Sequence, residues 1–242
     1  NLPSFLQKDS VTKLVPIVSS GRAAKLICEK WQSIYNYLPD AFVVEGPKAG
    51  GHLGFKDEQI NDEHFSLEHI LPEVIDEVKD IETHYGKNIP VIVAGGIYTG
   101  EDIKRFMDMG AAGVQMGTRF VTTEECDASD IFKQTYIEAK QEDIQIIKSP
   151  VGMPGRAIFS KFIQKVKEGQ KQPKTCMCKC IKTCDISKSP YCIIAALYNA
   201  FKGNMDNGYA FAGANAFRAT KIVSVKETFR SLLDEFNRAI NK

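Results

Sequence analysis

Tryptophan occurs once in the 242 residues and histidine four times, so any chemistry that needs an imidazole has few places to go. Charge of one sign is also missing. Thirty-one Lys and Arg against 30 Asp and Glu leave a formal net charge of +1, which gives no support for nucleic acid or an acidic membrane surface as a partner. No apolar run approaches the length of a membrane span, and the N-terminus has no basic-then-apolar signal pattern. Paired cysteines are lacking too. The count is an odd seven, and five of these crowd into Cys176–Cys192, unlike the spread of a secreted disulfide scaffold, so the reading is a reducing cytoplasm. What remains, 43% hydrophobic and 25% charged, is the composition of a globular chain long enough for a substantial core.

The most informative stretch is Val91–Phe120. Val91-Ile92-Val93 suits a strand buried on both faces and ends in Ala94-Gly95-Gly96, where missing side chains let a ligand approach backbone N–H groups. Thr99 is a plausible N-cap with Asp102 three residues on, and Ile103, Phe106, Met107 and Met109 supply an apolar helical face. Gly110 closes that helix, and Gly113–Met116 reads as a second strand ending at Gly117-Thr118. An ordinary crossover with tight glycine turns would give the same pattern. Gln115 and Thr118, polar where the strand emerges, favour a phosphate-bearing cofactor held by backbone donors.

Two similar modules precede this unit, a strand at Lys13–Ser19 with a helix at Arg22–Tyr37 and a strand at Asp40–Glu45 with a helix at Ser66–Tyr85, which makes four strand modules in a row. The strand–helix succession without hairpin signals predicts a parallel α/β sheet, and the glycine-rich turns all follow strands, the active-site side of a barrel. Four strands do not close a barrel, and Asn1-Leu2-Pro3 is no initiator sequence, so the expected architecture is a TIM-barrel type lacking its first half; an open doubly wound sheet is the alternative. Residues 1–124 then form the half-barrel and 125–242 a helical, loop-rich region with the Cys-rich segment at 176–192. In that region the sequence predicts a helix at Ile131–Gln141, an irregular loop at Ser149–Ala157, a solvated helix and linker at Lys161–Lys174, and amphipathic helices at Pro190–Phe201 and Ser224–Ile240.

His52 is the sharpest chemical candidate, sitting between glycines in a polar loop just past a strand end, where it can take or give a proton near neutral pH. A histidine that merely orients the loop is the plainer reading. His64, His69 and His84 read as surface residues, and Glu45 as a carboxylate bonded to loop amides. Cys176, Cys178, Cys180 and Cys184 have a C-x-C-x-C-x3-C spacing that matches neither paired C-x2-C zinc sites nor the common ferredoxin run; reduced thiols are the reading, with a metal at these four as the alternative.

VVEGPKAGGHLGF, PVIVAGGIYTGEDI, GAAGVQMGTRF and the late AGANAFR resemble the nitronate monooxygenase family, close to the FMN-dependent enoyl-ACP reductases. The resemblance runs over nearly the whole chain and implies an FMN-binding TIM barrel of which Lys13, Ala41, Val91 and Gly113 begin strands five to eight. Carried over by motif, His52 is the catalytic base. Gly95, Gly96, Gly117 and Thr118 hold the FMN phosphate with Ala94 and Gln115 nearby, Gly50 and Gly51 let the loop pass over the flavin, and Gly213 lies on a late loop approaching the cofactor. The Cys-rich segment and the Phe55–Phe65 insert depart from the family pattern. The implied activity is oxidation of alkyl nitronates with dioxygen, or alternatively reduction of an activated alkene such as an enoyl-ACP with NAD(P)H as co-substrate. The implied partners are a small-molecule substrate and a second copy or the absent half; a non-catalytic half-barrel is the third reading.

Overall fold

The structure, a computed structural model, describes residues 2–7, 9–170, 176, 180 and 184–241. In chain order its elements are β1 (Ile17–Val18), α1 (Gly21–Tyr35), β2 (Phe42–Glu45), β3 (Gly51–His52), α2 (Leu67–Tyr85), β4 (Val91–Ala94), α3 (Gly100–Asp108), β5 (Gly113–Gln115), α4 (Thr118–Val121), α5 (Asp130–Glu138), β6 (Ile144–Lys148), β7 (Pro154–Ile158), α6 (Lys161–Lys167), α7 (Ile193–Phe201) and α8 (Val225–Ile240), with short 3-10 turns between them. The chain divides into two compact units. The first gathers 1–47, 57–116 and 232–242, the second 48–56 and 117–231.

The first unit is built on a four-stranded parallel sheet in the order β1-β2-β4-β5. Its strands fall where the β-branched runs predict them. Phe42, Val44, Val93 and Ala94 are almost wholly buried, as expected for a parallel sheet covered on both faces. β1 is shorter than the expected Lys13–Ser19 strand, and Ile17 lies 55% exposed, because β1 is the outer strand and Pro16 has no N–H to offer a ladder. Ser20 caps α1, and Glu73 of α2 accepts the Gly21 N–H at 3.0 Å, tying the two helices at their ends. Thr99 and Asp102 form the expected capping box on α3; Phe106 is buried, whereas Met107 faces outward at 42% exposure.

In the second unit β3, β7 and β6 form an antiparallel sheet in that order. This corrects the expectation of irregular structure at Ser149–Ala157. Ile144–Lys148 and Pro154–Ile158 are two paired strands joined by a five-residue turn. Pro154 is tolerated because it begins its strand, and Gly155 because the Phe211 ring packs where a side chain would stand, 2.9 Å from an added Cβ. The α6 helix is likewise not solvated: Phe162 and Ile163 bury against Tyr191, Ile193 and Tyr209. A second cluster joins Tyr136, Ile158, Ala210 and Ala212. Among the described residues no helix is long and apolar enough to cross a membrane.

Candidate functional site

His52 does not sit in a loop. It is the second residue of β3, paired across from Gly155, with Gly51 across from Arg156. Pairing to the hairpin fixes the backbone, and two side chains fix the ring. His52 Nε2 lies 2.7 Å from Ser149 Oγ, and the edge of Phe211 meets the imidazole at a centroid distance of 5.1 Å. Ser149 is buried at 3% exposure, and Phe211 is held in turn by Tyr136, whose hydroxyl donates to the Phe211 carbonyl. Burial holds the His52 pKa below its ordinary value, so the ring is neutral near pH 7.

The segment leading to His52 is pinned from several sides. Arg156 Nε donates to the Ala49 carbonyl at 3.1 Å, and Ala214 N–H to the Lys48 carbonyl at 3.0 Å. Gly50 packs on the backbone of Ala212 and Gly213; an added Cβ would stand 2.5 Å from it, so only glycine fits. Gly213 N–H donates to Thr118 Oγ1 at 3.0 Å. Thus Gly50, Gly51, His52, Thr118 and Gly213, distant in sequence, are brought together within the second unit. Gly117 precedes Thr118 with open space over its Cα, as a backbone that a ligand approaches requires. The Thr118 hydroxyl accepts from Gly213 and keeps its own hydrogen for an acceptor.

The remaining expected positions lie in the first unit. Ala94 pairs with Glu45 on one side and Gln115 on the other, so three strand ends carry the Gly95-Gly96 turn, Glu45 and the exposed Gln115. Gly95 and Gly96 adopt φ of 94° and 90°, the left-handed region that side chains disfavour. The Glu45 carboxylate is half-buried, and burial raises its pKa; among the described residues no hydrogen bond or neighbouring cation counters this, so the expected bonding to loop amides does not form.

Among the described residues Cys176, Cys180, Cys184 and Cys192 form no disulfide, and Cys178 lies outside the described residues. Among the described residues no group of three or more His, Cys, Asp or Glu side chains gathers as a metal site would. Cys28 is buried in α1, where burial pushes its thiol up to about 11 and makes it a poor nucleophile. His64, His69 and His84 are exposed. The sequence reading missed Ser149 and Phe211. The signal for Ser149 was the Ile144–Ile147 run before it and the Ala157-Ile158-Phe159 run after it, two strand-like stretches around a Pro- and Gly-rich turn.

A family model for nitronate monooxygenase matches residues 3–235, and the chain belongs to that family. A probable nitronate monooxygenase of Staphylococcus saprophyticus is 34% identical over 131 residues, 53% of this chain and 34% of the relative. A Mycobacterium tuberculosis protein, (3aS,4S,5R,7aS)-5-hydroxy-7a-methyl-1-oxo-octahydro-1H-indene-4-carboxyl-CoA dehydrogenase, is 29% identical over 164 residues, 68% of this chain and 40% of the relative. The chain thus spans well under half the length of these curated relatives. Among solved structures, FabK from Thermotoga maritima superposes with a TM-score of 0.72 at 25% identity, covering 100% of this chain and 67% of that one. Nitroalkane oxidase from Streptomyces ansochromogenes superposes with a TM-score of 0.66 at 20% identity, covering 95% and 59%. The fold is α/β of the TIM-barrel type.

Proposed function

We propose that this chain carries the proton-handling residue and phosphate-binding turns of an FMN-dependent oxidoreductase that oxidises alkyl nitronates with dioxygen. The observation that carries the reading is His52, held neutral and fixed in orientation by Ser149 and Phe211 beside a cluster of glycine backbones. The residues present fit a flavin phosphate. In the first unit the Gly95-Gly96 turn takes φ of 94° and 90°. In the second, Gly117 has open space over its Cα and, among the described residues, the Thr118 hydroxyl only accepts, from Gly213. Each by itself is a turn of the kind a phosphate approaches. FMN, when bound, supplies the electron transfer, and the protein supplies binding, orientation and shelter from water. Gly50 and Gly213 hold the His52 strand in place, and Phe211 packs on the imidazole in an edge-type contact.

A second reading, reduction of an activated alkene by NAD(P)H, is favoured by the FabK structure, which covers the whole chain. The two are separated by the visible spectrum of the FMN-loaded protein under anaerobic conditions. Bleaching of the flavin band by an alkyl nitronate but not by NADPH is expected. Bleaching by NADPH alone overturns the first reading in favour of the second, and failure to retain FMN overturns both.

A further inference from the structure

Ser149 Oγ accepts the Val151 N–H at 3.4 Å and stands 2.7 Å from His52 Nε2. Its backbone is locked by the hairpin turn, through Ser149 N–H to the Met153 carbonyl and Gly152 N–H to the Ser149 carbonyl, both at 3.0 Å. A hydroxyl buried to 3% exposure needs an acceptor for its hydrogen, and among the described residues the one within reach is His52 Nε2. If instead Nε2 carried the proton and donated, the serine hydrogen would be left without a partner among the described residues, an unsatisfied buried donor.

We propose that Ser149 is a positioning residue that donates its hydroxyl hydrogen to His52 Nε2 and thereby fixes the imidazole as its Nδ1–H tautomer. The tautomer of a histidine is set by the bond its other nitrogen makes. With the Nε2 lone pair accepting the serine hydrogen, the ring's own hydrogen stands on Nδ1. The Ser149 assignment stands on the geometry alone. Arg156, across from Gly51 on β7, donates its Nε–H to the Ala49 carbonyl.

The test is a long-range proton–nitrogen NMR spectrum of protein labelled with 15N at histidine, above the His52 pKa, with His52 assigned from a His52→Gln sample. Wild type is expected to show a protonated Nδ1 and an unprotonated Nε2. Ser149→Ala is expected to lose that preference, and Ser149→Thr, which keeps the hydroxyl, to retain it. A protonated Nε2 in wild type, or no change in Ser149→Ala that remains folded, overturns the assignment.

Discussion

At the scale of single residues, Glu45 and Gly50 show how burial and space are used differently around the site. Glu45 has its pKa raised above the ordinary 4.5 by burial. The folded chain therefore binds this proton more tightly than the unfolded chain does. Its contribution is favourable below the ordinary value and is lost as pH rises through the folded value. Glu45→Gln should raise the urea midpoint at pH 7, by an amount of order 1 kcal/mol, and should gain little at pH 4. Equal midpoints at pH 7 would show the carboxylate to be solvated. Gly50 was legible as a special position from its glycine-rich surroundings, but its reason was not. The backbone it touches, Ala212–Gly213, lies some 160 residues further along the chain. His52 and Ser149 are likewise 97 positions apart, and no periodicity within a window reports such a contact.

At the scale of elements, local signals were read well and tertiary ones poorly. The four parallel strands and the α3 capping box follow from β-branched runs, glycine turns and a Thr-x-x-Asp spacing, all of which act within a few residues. The β6–β7 hairpin escaped because Pro154 and Gly155 are breakers by propensity, and only the Phe211 ring above Gly155 makes the glycine an asset. α3 shows the same dependence on distant partners. Gly100, its first residue, lies so close to α8 that an added Cβ would stand 2.2 Å from Leu232 O and Phe236 N. Its N–H also donates to Glu235 at 2.7 Å, where a carboxylate meets the positive end of the helix. Gly100→Ala should force these helices apart and cost about 1–3 kcal/mol or more, read as a lower urea midpoint with unchanged slope. A midpoint equal to wild type would mean that α8 yields without cost.

For the whole molecule, the parallel sheet ends in two short outer strands, β1 and β5, each paired on one side among the described residues. Exposed strand edges invite pairing, and we propose that a second copy or further strands of the family fold cover them. Sedimentation velocity is expected to give a species larger than the 26.9 kDa monomer; a monomer that binds no ANS would remove the proposal. The last helix carries a consequence for anyone who edits the gene. Residues 232–242 belong with the first unit, although the chain reaches them only after passing through the second, and Glu235 among them anchors the amide of Gly100. A deletion confined to 232–242 would leave every side chain described around His52 in place. The damage would instead surface at a helix written more than a hundred codons upstream.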